Sequence, residues 1–235
     1  MNLILQQSLP AAQQGDVKLP GMGPCAPQDW LRVDDAYKAQ MAYREKLLAE
    51  RSEAVLYQSD AALEASREVL EEALAILPGI GFDVCKGHVI CPDGRKVVVD
   101  FDAPLRSMGH LVQEDICILE KRGAEHVLTA AVLCFPANWR LAEKVERPLT
   151  GIHDPVDEYD DNIARRVQRL FDGVRVGQPL WRFNKLTYAD ADLHQPRRRE
   201  VGAEMPFLRS ERQCILRLPS TDAVVFTIHS FVVRA

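Results

Sequence analysis

The sequence predicts an α+β fold, in which helices near the N-terminus precede an antiparallel β-sheet. Two stretches with helical spacing of apolar residues lie before residue 80, and most later apolar runs are strand-like with short connections. Parallel strands need crossovers of about a dozen residues or more, so short connections favour antiparallel pairing. Residues 1–28, rich in Gln, Pro and Gly, are predicted to form an irregular arm ahead of one domain spanning 29–235.

Two N-terminal helices are predicted from apolar periodicity. The first covers 34–51, and the second begins at Ser59 or Asp60, either of which can cap it. Pro78 and Gly79 end the second helix. The apolar positions that support these two helices are Tyr37, Met41, Leu47, Leu48, Leu63, Leu70, Leu74 and Leu77.

The rest of the chain is predicted to contain three strand pairs and one helix. The pairs are 82–89 with 95–101 around a turn at 92–94, 115–119 with 126–134, and 213–218 with 223–233 around a turn at 219–222. Residues 135–157 are rich in proline and glycine and are expected to be loops. A helix over 158–172 follows and ends at Gly173.

Bulk properties exclude several classes of protein. The net charge of −5 gives no basic footprint for nucleic acid, and the run 197–199 is an isolated, solvated loop. No run approaches the roughly 18 apolar residues that span a bilayer, and the first residues lack a cationic start typical of a secretory signal. We therefore expect a cytoplasmic protein without membrane contacts, whose six cysteines are reduced thiols.

Common catalytic motifs are also missing. The sequence contains no glycine-rich phosphate loop, nucleophile elbow, H-E-x-x-H pair or paired C-x-x-C sites, which argues against the commonest NTPase, hydrolase and zinc classes. Cys85, His88 and Cys91 form one local cluster of soft ligands without an evident fourth ligand. A β-hairpin whose alternating residues happen to be Cys and His accounts for the spacing of these three residues equally well.

Four features remain as candidate sites. His153 lies in a proline-bracketed loop at 148–156, where an imidazole can bind iron axially or simply begin a helix. On the strand at 208–219, Arg209 and Glu211 share one face, while Ser210 and Arg212 share the other. Such arginines can bind carboxylates bidentately or form a cross-strand ion-pair ladder.

The other two features lie on the flanking strands. Glu114, at the mouth of the 115–119 strand, can bind a cationic amine or cap a turn. In the last strand, Val224, Phe226, Ile228 and Val232 form an apolar face for the core, whereas His229 lies on the face that can line a cavity.

Several segments together resemble one family. They are 30–37 (WLRVDDAY), 111–116 (LVQEDI), 135–144 (FPANWRLAEK), 152–156 (IHDPV), 181–184 (WRFN), 208–213 (LRSERQ) and 226–231 (FTIHSF). In number and order they are similar to motifs of the haem-dependent oxidative N-demethylase α-subunit-like proteins. The resemblance runs from Trp30 to Phe231 and covers nearly the whole chain.

This resemblance implies a PAS-like antiparallel sheet that holds a b-type haem (haem b). The implied activity is the oxidation, with dioxygen, of the N-methyl group of a small secondary amine, which yields the shorter amine and formaldehyde. Electrons are implied to come from NADPH through FMN and an iron–sulfur cluster on partner subunits. The haem performs the difficult chemistry. The protein binds the iron, controls the access of substrate and sets the electrostatic field around the haem.

Carried onto this sequence, the resemblance implies a role for each candidate. His153 becomes the axial iron ligand, and His229 is its rival. Arg209, Arg212 and, as a third candidate, Arg182 become partners of the haem propionates. Glu211 or Glu114 would position the protonated amine.

Two residues depart from the family pattern. Lys185 stands where an aromatic residue is expected, and His229 where the family more often has Arg. These departures bear more on catalytic turnover than on haem binding. Two other functions therefore stay open. One is a non-catalytic haem-dependent sensor or carrier, and the other is a haem-free structural subunit.

Overall fold

The computed structural model describes residues 3–15, 21–153, 161–197 and 204–235. Its helices are α1 (Tyr37–Glu50), α2 (Ser52–Val55), α3 (Leu63–Ile76), α4 (Pro104–Leu111), α5 (Leu149–His153) and α6 (Asp161–Gly173). Its strands are β1 (Gly23–Pro24), β2 (Leu56–Gln58), β3 (Asp83–Cys85), β4 (His88–Ile90), β5 (Lys96–Val98), β6 (Asp115–Arg122), β7 (Glu125–Val132), β8 (Leu180–Tyr188), β9 (Phe207–Arg217) and β10 (Val224–Arg234). Short 3-10 turns lie at Ala11–Gln13, Asp60–Ala62, Leu77–Ile80 and Leu141–Glu143.

The strands form two antiparallel sheets. The large sheet has seven strands in the order β1-β8-β9-β10-β6-β7-β2, and β3, β4 and β5 form a small second sheet. Each pair of neighbouring strands runs antiparallel. The predicted α+β class is therefore confirmed.

One face of the large sheet is covered by α1, α3 and α4. We call it the α1 face, and its core combines Met41 and Leu48 of α1 with Val69 of α3 and Val225 of β10. A Cβ at Gly109 of α4 would meet side-chain carbons of Leu48 and Val132 at 2.9 Å, so only glycine permits this close approach.

The opposite face is covered by α5, α6 and the turn at Leu141–Glu143. We call it the α6 face, and its apolar cluster joins Leu149 and Phe171 to Ile215, Val224 and Ile228 of the sheet. Burial of these side chains accounts for the strong apolar stripe of α6.

The N-terminal residues also contact the sheet. Gln6 accepts a hydrogen bond from the backbone N–H of Val232 at 2.7 Å, and Leu9 packs against Phe231 and Val233. Among the described residues, no helix is long and apolar enough to cross a membrane.

The structure differs from the sequence prediction at several elements. The strand predicted over 82–89 is two short strands, because Lys86 and Gly87 form a turn in which Gly87 has φ +77°. The helices α2, α4 and α5 and the strands β1, β2 and β8 were not predicted; α5 lies in the stretch 135–157 that was expected to be loops, and β1 in the arm expected to be irregular. The helix predicted over 158–172 is present as α6, while residues 158–160 lie outside the described part of the chain.

Candidate functional site

The α6 face carries a row of polar side chains beside its apolar cluster. Antiparallel register aligns Asn184 of β8 with Glu211 of β9 and Ser230 of β10. Two residues away on each strand, Arg182 is aligned with Gln213 and Ile228. Because alternate residues of a strand share a face, these polar groups lie on the same side as Ile215 and Ile228, which α6 helps to cover.

Glu211 is a buried carboxylate that is held from several directions. Its Oε1 lies 3.1 Å from Nη2 of Arg209, and its Oε2 accepts a hydrogen bond from Nδ2 of Asn184 at 3.1 Å. Gln213 donates to the same Oε2 at 3.4 Å. The residue is 5% exposed, so its carboxylate is buried and these contacts fix its position.

Arg209 connects the sheet to two loops. It donates to the carbonyl oxygens of Phe135 and Leu193, and to Oγ of Ser230 at 3.1 Å. Its Nη atoms are therefore engaged in the fold, while its buried Nε has no partner among the described residues.

Arg182 differs from Arg209 because its charge is not neutralised by a contact. Its buried Nε has no hydrogen-bond partner, and no described carboxylate lies within 4.0 Å of its guanidinium. Burial lowers the pKa of this guanidinium, and the nearby carboxylate of Glu211 opposes the shift. The residue is only partly buried, but its buried Nε lacks a partner, so Arg182 is suited to bind a carboxylate or phosphate.

His153 is the last residue of α5, and its side chain lies outside the described part of the structure. The preceding backbone is fixed, because Nζ of Lys144 donates to the carbonyl oxygen of Ile152 and Leu149 packs into the α6-face cluster. Thr150 donates to Glu125 at 3.1 Å. The backbone of the predicted iron ligand is thus anchored to the elements that cover the α6 face.

Arg212 lies on the α1 face, away from Arg182 and Arg209. Its Nη1 donates to Sγ of Cys214 at 2.8 Å, and its Nη2 contacts Cys25 at 3.3 Å and Asp29 at 3.1 Å. The guanidinium also lies over the ring of Trp181. The three arginines predicted to share one ligand are therefore divided between opposite faces of the sheet.

Glu114 and His229 form a second buried cluster on the α1 face. Nδ1 of His229 lies 2.8 Å from Oε1 of Glu114, and its Nε2 lies 3.1 Å from Oδ2 of Asp34. Glu114 also accepts the backbone N–H of Arg32 at 2.8 Å. Since both ring nitrogens contact carboxylates, the His229 ring has no nitrogen lone pair directed at open space.

The two carboxylates also set the charge of His229. Although burial favours the neutral ring, Glu114 and Asp34 raise the pKa of His229 to about 9. The same contact lowers the pKa of Asp34. The cluster is therefore a buried imidazolium between carboxylates, which ties the chain near residue 34 to β10.

This cluster predicts a loss of stability at alkaline pH. A group whose folded pKa is raised stabilises the fold below its unfolded pKa, and that contribution disappears as pH rises through the folded value. For His229 the window runs from about 6.5 to about 9. We expect its contribution to the free energy of unfolding to fall by about 2 kcal/mol between pH 7 and pH 10.

Urea unfolding at both pH values measures this effect. His229→Gln is expected to be less stable than the wild type at pH 7 and to lack most of the decline up to pH 10. Equal declines in both proteins would contradict the buried imidazolium.

The cysteine–histidine cluster at 85–91 forms no site. Cys85 and His88 face each other across the turn between β3 and β4, while Cys91 is buried. Nowhere in the described ranges do three or more His, Cys, Asp or Glu residues have metal-binding geometry. All six cysteines are free thiols.

Three contributors to these sites were missed by sequence reasoning. Asn184 and Gln213 hold Glu211, and Asp34 pairs with His229. Alternation along β9 places Gln213 on the same face as Glu211, so it could have been found. Asp34 could not, because it lies 195 residues from His229 in the sequence.

Comparison with known protein families places the chain in one of them. A family model described as "Haem-dependent oxidative N-demethylase, alpha subunit-like" matches residues 21–235. No curated protein matches the chain.

Proposed function

The chain belongs to the haem-dependent oxidative N-demethylase, alpha subunit-like family, and from that premise we propose that it binds haem b on the α6 face of a PAS-like sheet and oxidises the N-methyl group of a small amine with dioxygen. The observation that carries the proposal is Arg182, a half-buried guanidinium with unsatisfied donors beside Glu211. The haem-binding domain would span 29–235, with 1–28 as an arm.

The residues on this face fit a haem. Each propionate is a carboxylate, and Arg182 offers it both a positive charge and free N–H groups. Arg209 has a free Nε, although its Nη atoms already hold two loops. The apolar residues Ile215 and Ile228 lie beside these polar groups on the same face, beneath α5 and α6, so a haem held at Arg182 would border this cluster. Arg212 lies on the other face and has no part in this proposal.

His153 is the proposed iron ligand. It ends a helix that Lys144 and Leu149 anchor over the α6 face. The backbone of His153 therefore lies among the elements that would cover the haem. Its rival His229 is supported less well, because both of its ring nitrogens already contact carboxylates on the opposite face.

Glu211 is the proposed partner of the protonated amine. When bound, the haem supplies the iron that activates dioxygen. Glu211 would accept a hydrogen bond from the substrate ammonium, while Asn184, Gln213 and Arg209 keep the carboxylate in place. The other predicted carboxylate, Glu114, is fully buried against His229 on the α1 face and is unsuited to this contact.

Partner subunits would supply the electrons. An alpha subunit-like description implies other subunits, and we propose that NADPH, FMN and an iron–sulfur cluster act there. This chain would then contribute only the amine site and the haem.

The visible spectrum of the purified chain tests the proposal. We expect a Soret band that shifts on addition of dithionite and carbon monoxide. With NADPH and a reductase containing FMN and an iron–sulfur cluster, dimethylamine should yield formaldehyde. A Soret band without formaldehyde would favour a sensor or carrier, whereas no chromophore after expression with added haem would favour a structural subunit.

Substitution of Glu211 tests the amine contact. Glu211→Gln keeps the shape of the side chain and removes the charge, so the KM for dimethylamine is expected to rise about 10- to 100-fold. The Soret band should stay unchanged. Glu143→Gln, at an exposed surface carboxylate, is the matched control and should leave KM unchanged. An unchanged KM in Glu211→Gln would contradict the assignment.

A further inference from the structure

Cys25 and Cys214 meet on the α1 face, away from the proposed haem site. Cys25 directly follows β1, and Cys214 lies on β9, with β8 between these strands in the sheet. The sulfurs of both residues contact the guanidinium of Arg212. Two thiols that lie 189 positions apart in the sequence are thus held on the same cation.

One guanidinium bridges both sulfurs. Arg212 approaches Cys214 at 2.8 Å and Cys25 at 3.3 Å, and Asp29 holds the same Nη2 at 3.1 Å. Because a cation and a thiol donor both favour the thiolate, the pKa of Cys25 is lowered to about 7. The pKa of Cys214 is raised, chiefly because it donates its proton to Cys25.

Cys25 is also the more accessible of the two. It is 8% exposed and borders a groove of about 280 Å³, which Pro24, Gly177 and Pro179 also line. Cys117 and Cys134 differ, since burial dominates there and raises the pKa of each above its usual range. The chain therefore contains one thiol pair with the polarity and access of a reactive site.

We propose that Cys25 and Cys214 form a redox-active dithiol that hydrogen peroxide converts to a disulfide. The Cys25 thiolate attacks one peroxide oxygen, the O–O bond breaks, and the departing hydroxide takes a proton to leave as water. Cys214 then attacks the sulfenic sulfur of Cys25, which forms the S–S bond and releases a second water. Two thiols are oxidised by two electrons, and one peroxide is reduced to two waters.

The roles of the two thiols follow from their surroundings. Cys25 is the attacking group because it borders the groove and is partly ionised near neutral pH, and Cys214 resolves the sulfenic acid because it shares the guanidinium of Arg212 with Cys25. Bond formation requires Cys25, which directly follows the two-residue strand β1, to move towards β9 and to give up the hydrogen bond from its backbone N–H to the carbonyl oxygen of Pro179. None of these steps needs haem, so the inference is independent of the proposed function.

Peroxide titration of the full chain at pH 7 tests the inference. Mass spectrometry is expected to find a Cys25–Cys214 disulfide, and Cys25 should react about tenfold faster than Cys85, since about half of it is thiolate. The rate of Cys25 oxidation should fall as the pH drops below about 7. Cys214→Ser is expected to leave a Cys25 sulfenic acid that dimedone labels, and Arg212→Gln should slow its formation.

Two controls keep the test decisive. Cys134→Ser removes a buried cysteine outside the pair and should not alter disulfide formation, while thermal unfolding confirms that each variant folds. Oxidation of Cys25 no faster than that of Cys85 would overturn the inference. So would a Cys25 sulfenic acid in the wild type that never yields the disulfide.

Discussion

Replacing His153 with alanine is expected to remove the Soret band of the purified chain. A b-type haem is held by its axial ligand, its propionate contacts and apolar packing, without a covalent link to the protein. Loss of the ligand should lower the haem content to about a tenth or less of the wild-type value after gel filtration. The absorption spectrum and a pyridine haemochrome assay measure this directly.

Two additional measurements separate ligation from misfolding. Added imidazole should restore part of the Soret band if the alanine leaves a space beside the iron. His88→Ala, on the small sheet, is the matched control and should keep the full band. A His153→Ala spectrum identical to that of the wild type would exclude His153 as the ligand.

Asp115→Ala is expected to cause the largest loss of stability. Oδ1 of Asp115 lies 2.7 Å from Nη1 of Arg44, and both side chains are almost fully buried. The same carboxylate accepts the backbone N–H groups of Cys134 and Phe135 at 2.7 and 2.9 Å. Removing it leaves a buried cation and two unsatisfied donors, which should cost about 3–5 kcal/mol in urea unfolding.

A surface ion pair provides the control. Lys46 and Glu50 are exposed and 4.0 Å apart, so Lys46→Ala should change the free energy of unfolding by less than about 0.5 kcal/mol. The double variant Arg44→Met with Asp115→Ala should be less damaged than the sum of the single variants, because no buried charge is left alone. Additive losses would contradict a direct interaction.

The sequence predicted elements with clear periodicity and missed those without it. α3 was found because its apolar stripe repeats at helical spacing, and the β9–β10 hairpin because a short polar turn divides two apolar runs. β8 was missed because its alternation is short: Trp181 and Phe183 alternate with Arg182 and Asn184, but Lys185 breaks the pattern. α4 was missed because eight residues are too few for a clear period.

The residues of the candidate site were likewise predicted where strand alternation places them and missed where distant strands bring them together. Alternation along β9 correctly placed Arg209 and Glu211 on one face and Arg212 on the other. The strand pairing that brings Arg182 beside Glu211, and Cys25 beside Cys214, depends on long-range register. No local pattern in the sequence encodes such contacts, so they needed the folded structure.

The alternation of side chains along β9 also limits which insertions and deletions the β9–β10 hairpin can tolerate. A register slip of one residue would move Arg209 and Arg212 each to the opposite face of the sheet, away from its present partners. Glu68 opposes such a slip, since it accepts the N–H groups of Ser220 and Thr221 in the β9–β10 turn. Single insertions or deletions near this hairpin should therefore be tolerated far less well than substitutions.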